Sequence, residues 1–252
     1  ITIANSNVGS ETQDFVWPEI WTSKILKLDL ITLVAVELNV AGISTNKLDG
    51  ICFDGSGNLF VSDSITSTIF KITETSYTTG VGQIFASNLA GINTPIGLAS
   101  DLFNNIYVCN SGNNNLVRIT PRGIINIVAS SGLDNPTGVT YNPFNNCLYV
   151  ANYGVFTTST LLPPRVFVYQ IVNDTLYKLP IPFPSDPNDR EYYYSIATDK
   201  TGKVYTCGTL TKPQVFSKLG VGAFIKEIKD IFTASNNVGL FYGGFYEQGG
   251  FG

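Results

Sequence analysis

Residues Thr94 to Gly123, TPIGLASDLFNNIYVCNSGNNNLVRITPRG, read as one structural module. Pro95-Ile96-Gly97 opens it and leads into a short apolar run, Leu98-Ala99. A polar turn, Asp101 to Asn105, delivers a strand alternating at period two, Ile106-Tyr107-Val108-Cys109. A second polar turn, Asn110 to Asn115, delivers another strand, Leu116-Val117-Arg118-Ile119. Short strands bounded by Asn, Gly, Ser and Asp clusters spell an antiparallel meander. The turn residues have a physical reason: Asn and Asp bond nearby backbone amides and tolerate positive φ, and Gly reaches it without a steric cost.

Degenerate copies of this module recur, and a repeat decides the architecture of a chain before any single residue does. The opening segment returns as LDGICFD at Leu48, PTGVTYN at Pro136 and YYSIATD at Tyr193, with a weaker copy, NVGLFYGG, at Asn237. The clear copies are spaced at about 41 to 57 residues, within or near propeller-blade periods. Second strands follow at Leu59 to Ser62, Ile106 to Cys109, Leu148 to Ala151 and Val204 to Cys207. Third strands follow at Thr68 to Ile72, Leu116 to Thr120, Val166 to Ile171 and Gln214 to Leu219. Fourth segments are expected at Gly82 to Ala86, Ile124 to Ala129, Thr175 to Ile181 and Phe224 to Phe232.

The N-terminus begins on a second-strand pattern, ITIANS, followed by third and fourth strands at Lys24 to Asp29 and Leu33 to Asn39. The C-terminus supplies an opening strand, Gly239 to Tyr242. The expectation is an all-β, single-domain β-propeller of four-stranded antiparallel blades, with five blades favoured and six as the alternative. The C-terminal strand is expected to close the ring by pairing with the N-terminal repeat, which removes exposed edges. Blade 1 then takes 238–252 and 1–47, blade 2 takes 48–93, blade 3 takes 94–134, blade 4 takes 135–191 and blade 5 takes 192–237.

Composition narrows the chemistry. The chain has 252 residues, of which 13% are charged and 44% hydrophobic, with a net charge of -4. Without concentrated Lys and Arg, nucleic acid is not an expected partner, and no apolar run reaches a membrane span. So few surface charges protect poorly against self-association, which favours an extracellular or virion-associated setting over the cytoplasm. Histidine is absent, which removes Ser-His-Asp and Cys-His catalysis and His-ligated zinc. Four widely spaced cysteines, Cys52, Cys109, Cys147 and Cys207, read as buried free thiols rather than a disulfide framework. One glycosylation triplet, Asn173-Asp174-Thr175, is close to chance in an Asn- and Thr-rich chain and carries little weight on compartment.

The units with Asp63-Ser64 and Asn110-Ser111-Gly112-Asn113-Asn114, each followed by an apolar strand, resemble NHL repeats. More widely the chain resembles the six-bladed group that includes the SMP-30/gluconolactonase-like and strictosidine-synthase-like proteins. The resemblance implies a ligand site at one mouth of the channel, where SMP-30-like enzymes hold a divalent cation with carboxylates and Asn. The residues before the opening Gly of each repeat, or before Ser195 in one copy, fall there: Asp49, Ile96, Thr137, Tyr194 and Val238. That set holds one carboxylate, whereas a hard cation takes several oxygen ligands, so no metal, cofactor or catalytic residue is expected.

A second set, Asn5, Asp63, Asn110 and Asn152, with Gly208 breaking the pattern, begins the turn from second to third strand. It reads either as a polar ring for a sugar or peptide or as turn-forming Asx residues. The candidate ligand residues are therefore Asp49, Thr137, Tyr194, Asn110 and Asn152, with Trp17 and Trp21 as candidate partner contacts. The leading expectation is a non-enzymatic binding or scaffold propeller with a protein or glycan partner. The alternatives are an SMP-30-like metal-dependent lactonase or hydrolase and a lectin-like glycan-binding propeller.

Overall fold

A computed structural model describes residues 2–8, 22–28, 31–32, 34–38, 40–43, 47–73, 81–153, 165–173, 175–179, 190–212, 220–228 and 240–241. The chain divides into two compact units, Ile1–Pro136 and Thr137–Gly252. In the first unit, β1 (Thr2–Val8), β2 (Thr22–Leu28) and β3 (Ala35–Glu37) make a three-stranded sheet in that order. The second sheet runs β4 (Leu48–Phe53), β5 (Leu59–Asp63), β6 (Thr68–Ile72) and β7 (Gln83–Ala86). The third runs β8 (Pro95–Ser100), β9 (Ile106–Asn110), β10 (Asn115–Ile119) and β11 (Ile125–Ala129).

The second unit holds a sheet of β12 (Pro136–Asn142, starting on the last residue of the first unit), β13 (Cys147–Asn152), β14 (Arg165–Val172) and β15 (Thr175–Leu179). Its last sheet runs β16 (Arg190–Thr198), β17 (Val204–Lys212), β18 (Gly220–Ile228) and β19 (Leu240–Phe241). The pairs β1–β2, β5–β6, β9–β10, β13–β14 and β17–β18 are antiparallel between chain neighbours, as a meander requires.

The last sheet departs from the expected strand assignment. β17 extends to Lys212, and its antiparallel register against β18, from Val204↔Ile228 to Lys212↔Gly220, makes Gly220–Ile228 the third strand. Phe224 onward therefore belongs to the third strand and not the fourth. The fourth place is taken by Leu240–Phe241, which pairs with Ile225 and Lys226. The C-terminal strand expected to complete the N-terminal repeat is thus the outer strand of the last sheet. Gln214 to Leu219 lie outside the described residues.

Period-two alternation in the second strands does not mark a wet and a dry face. β5, β9 and β13 are buried at every position, and β5 is covered on both faces. Leu48, Leu59, Val61 and Ile72 pack with Ile25 and Leu38 of the first sheet. On the other face Phe60 and Ile69 pack with Leu98, Ile106, Val108 and Val117 of the third. In the second unit Tyr149, Ala151, Val166 and Val168 pack against Tyr193, Ile196, Val204 and Ile228. Each large side chain fully buried in this way contributes about 1.5–3 kcal/mol.

Fourth strands expose apolar side chains, Ile84, Ile127 and Tyr177 among them. An edge strand of that kind invites pairing with another chain unless it is blunted. β7 and β11 are blunted by register shifts, between Ile69 and Phe70 and between Leu116 and Val117 of their partners. β15 carries Lys178, whose ammonium sits 3.8 Å from the Phe167 ring centroid.

Consecutive sheets are also stitched by polar contacts. Gly50 N donates to Ser62 Oγ at 2.8 Å, and Ser62 Oγ donates to Ile96 O at 2.7 Å. β4 and β8 lie side by side there, so closely that a Cβ on Gly50 would collide with the Ile96 carbonyl oxygen. In the second unit a Cβ on Gly138 would stand 3.0 Å from Ser195 Cα. Gly50 and Gly138 are thus spacing requirements between neighbouring sheets.

A second stitch uses left-handed backbone. Ser67 and Asn114, both at positive φ, end equivalent turns, and each accepts from a positive-φ residue ahead of the next sheet. Thr94 N donates to Ser67 Oγ at 3.1 Å, and Asn135 N donates to Asn114 Oδ1 at 2.7 Å. Thr94, a β-branched residue at φ 48, is the strained member.

Gly50→Ala is expected to lower stability by about 1–3 kcal/mol through forced overpacking, read as a lower urea midpoint. Thr94→Asn, which keeps the backbone geometry with a residue that tolerates it, is expected to raise stability by about 0.5–1 kcal/mol in the same assay.

Candidate functional site

Asp49, Ile96 and Tyr194, three of the channel-mouth residues expected from sequence, occupy irregular points of the first strands. In the first unit, Leu48 pairs with Asp63 and Ile51 with Val61, so Asp49 and Gly50 together face Ser62 alone. Pro95 pairs with Asn110 and Leu98 with Val108, so Ile96 and Gly97 together face Cys109. These are bulges, which re-aim side chains. Asp49 Oδ1 lies 3.7 Å from Lys47 Nζ, and its Oδ2 is buried with no partner among the described residues. Ile96 brings no side-chain donor, and its carbonyl is taken by Ser62.

In the second unit, Tyr193 pairs with Gly208 and Ser195 with Cys207, which leaves Tyr194 as the bulged residue. Its side chain is 44% exposed, and its ring centroid is 5.2 Å from that of Tyr153 with a 42° tilt. Thr137 stands nearby in the fold but is committed: its hydroxyl donates to Tyr193 O at 3.0 Å. Thr137 and Tyr194 thus come together on adjacent first strands of the second unit, as Asp49 and Ile96 do in the first. Val238, Trp17 and Trp21 lie outside the described residues.

Asp63, Asn110 and Asn152 of the turn set are buried. Asp63 Oδ1 accepts from Ile65 N at 2.9 Å and Thr66 N at 3.0 Å, an Asx turn. Asn110 is 1% exposed, and its amide is fully engaged. Its Oδ1 accepts from Asn93 N at 2.6 Å, while Nδ2 donates to Asn115 Oδ1 at 2.9 Å and Gly91 O at 3.2 Å. Asn152 is likewise 1% exposed. These side chains have little polar surface to offer a ligand.

Sequence reading placed a polar turn at Asp101 to Asn105 but did not single out the aspartate that closes each turn between first and second strands. Asp54, Asp101 and Asp199 each accept from backbone amides two and four residues on, namely Ser56 and Asn58, Phe103 and Asn105, and Thr201 and Lys203. The signal was the recurrent Asp four residues ahead of Asn or Lys. Asp101 Oδ2 also accepts from Asn105 Nδ2 and Tyr107 OH. Burial, and then the Asp101 charge, push the Tyr107 phenol up. Burial pushes the Cys52 and Cys109 thiols up as well, which keeps them protonated and inert. All four cysteines are free.

The divalent cation of SMP-30-like enzymes does not suit these residues. The first unit offers a single carboxylate at its bulges, next to an ammonium and an isoleucine. The second offers a committed hydroxyl and a phenol. No group of three or more His, Cys, Asp or Glu side chains able to hold a metal occurs among the described residues, and hard cations take six or more oxygen ligands. No helix among the described residues is long and apolar enough to cross a membrane.

No protein-family profile matches the chain, and no curated protein matches it either. Solved structures do. A gluconolactonase from Xanthomonas campestris is similar over 76% of this chain and 68% of its own, at 14% identity and TM-score 0.56. The structure of a nidogen/laminin complex matches over 79% of this chain and 89% of that one, at 13% identity and TM-score 0.52. A virginiamycin B lyase from Staphylococcus aureus, solved with quinupristin, matches over 78%, at 15% identity and TM-score 0.51. The chain spans 62% of that lyase's length. At such identities the likeness shows the fold alone: four-stranded antiparallel sheets of a β-propeller, distantly similar to the SMP-30/gluconolactonase-like group.

Asp199 gives a pH test of the turns. Its carboxyl is held below the ordinary carboxylate value, first by the Thr201 hydroxyl and then by the Thr201 and Lys203 amides. A depressed folded value means that this stabilisation is present above the ordinary carboxylate range and is lost as pH falls through the folded value. Asp199→Asn is expected to be less stable than the unaltered chain at pH 7, and the difference is expected to narrow as pH is lowered below the ordinary carboxylate range, measured by urea unfolding across pH.

Proposed function

We propose that this β-propeller is a non-catalytic binding module of NHL-like repeats, and that the Tyr194 and Tyr153 rings are its contact surface for a glycan or protein partner. One contrast carries the reading. At the first-strand bulges and following turns, the polar groups of Thr137 and Asn110 are consumed by the fold, while Tyr194 is turned out beside Tyr153. Exposed aromatic rings bury much area on binding with little entropy lost, and Tyr adds a polar tip. Self-association belongs to the same reading, given the low surface charge and the apolar side chains on the fourth strands.

A second reading, an SMP-30-like metal-dependent hydrolase, has one observation in its favour: Asp49 Oδ2 is buried with no partner among the described residues. The likeness to gluconolactonases is compatible with either reading.

Two measurements separate them. On a glycan array, binding by the purified chain is expected to weaken about tenfold in Tyr194→Ala, the size of one lost aromatic contact, with an unchanged melting temperature. Elemental analysis after equilibration with Ca²⁺, Mn²⁺ and Zn²⁺ is expected to find no stoichiometric metal. One bound cation per chain, lost in Asp49→Asn, would replace the binding reading with the hydrolase.

A further inference from the structure

Asparagine is the chief turn-builder of this chain, and its amide is usually consumed by the fold. Asn58 and Asn105 bond the carboxylates of Asp54 and Asp101. Asn104 bonds Gly55 N and Ser56 of the neighbouring sheet, and Asn142 bonds Gly202 O. Asn173 differs. It follows β14 and precedes β15 in a hairpin closed by the pair Val172↔Thr175, so it opens a two-residue connection. Its φ is 48, a left-handed conformation that asparagine tolerates better than most residues. The backbone therefore accounts for an asparagine here, and the side-chain amide makes no hydrogen bond among the described residues.

Asn173 and Thr175 are both exposed, and Thr175 Oγ1 lies 3.5 Å from Asn173 O. They are the first and third positions of an Asn-x-Thr triplet, the acceptor pattern for N-linked glycans when the middle residue is not proline. The chain's one other Asn-x-Thr triplet, Asn135-Pro136-Thr137, is closed by its proline, and its hydroxyl is donated to Tyr193 O. What composition leaves close to chance, geometry makes specific: a free amide at the tip of a tight, open hairpin.

We propose that Asn173 is an acceptor for an N-linked glycan. In the transfer, Asn173 Nδ2 forms a bond to C1 of the first sugar of an oligosaccharide carried on a lipid diphosphate. The C1–O bond to the diphosphate breaks, the lipid diphosphate leaves with the bonding pair, and one amide proton passes to a base. No oxidant or reductant is needed. The glycan would not cover the aromatic pair. β14 pairs with β13 from Cys147↔Gln170 to Asn152↔Arg165, so Asn173 stands at the Cys147 end of the sheet and Tyr153 beyond the opposite end. It would stand beside β15, where Tyr177 is exposed, and shield that edge from another chain.

The test uses the full chain sent into the secretory pathway of a eukaryotic cell, with a C-terminal Asn-Gly-Thr tag. Only molecules bearing the tag glycan, which have met the transferase, are scored by intact mass. Two glycans are expected on the tagged chain, two on Thr175→Ser, and one on Asn173→Gln and on Thr175→Ala. Peptide N-glycosidase should leave Asp at position 173, read by tandem mass spectrometry. A tagged chain carrying the tag glycan alone, or Asn173→Gln retaining two, would overturn the proposal.

Discussion

The fold depends on how closely two first strands can approach. Where β4 runs beside β8, the backbone of Gly50 leaves no room for a side chain, and the Ser62 hydroxyl joins the Gly50 amide to the Ile96 carbonyl. A hydroxyl is suited to this place because it accepts from one strand and donates to the other. Leaving those buried backbone groups unpaired would cost about 1–3 kcal/mol each. The bulge follows from the same closeness, since two residues of β4 must be fitted opposite Ser62. From the bulge follows the side-chain direction of Asp49, and the same irregularity in β16 turns out Tyr194. Packing between sheets and the candidate ligand surface therefore share one origin.

Much of this was legible in the sequence because turn chemistry is local. Asp63, Asn110 and the Gly-bearing opening segments announced strand limits to within a residue or two, and β6 was read at its observed bounds. The last sheet was misread for a non-local reason. The length of β17 sets where its partner must run, and a register of nine pairs overrides the short alternating pattern that begins at Phe224. The candidate site was legible as a set of positions and not as a chemistry. Asp49 and Ile96, each ahead of an opening glycine, do share a structural place, but whether a side chain at such a position is free depends on long-range bonds such as Thr137 to Tyr193. Burial of Asn110 could not be foreseen either, since an Asn-Ser-Gly-Asn run looks solvated until the loop carrying Asn93 and Gly91 folds over it.

The fold's likeness to gluconolactonases illustrates how function is separable from architecture. The scaffold needs glycines, hydroxyls and Asx turns at set places, and this chain supplies them. Metal chemistry would need several oxygen donors at the bulges, and there the first unit places Ile96 and a lone Asp49 while the second places Tyr194. At Ile96 the bond between sheets uses the backbone carbonyl, so it does not fix the side chain there.

The stitches that end at Thr94 and Asn135 have a consequence for how such a chain arises and folds. Each joins a turn of one sheet to the backbone that leaves that sheet, across sequence separations of 27 and 21 residues. Loop closure over such distances is entropically inexpensive, so a newly made sheet can dock on its predecessor while the rest of the chain is still being synthesised. The same locality lets a gene lengthen or shorten by one repeat: a duplicated unit brings both halves of its own seam, the left-handed turn at one end and the receiving amide at the other.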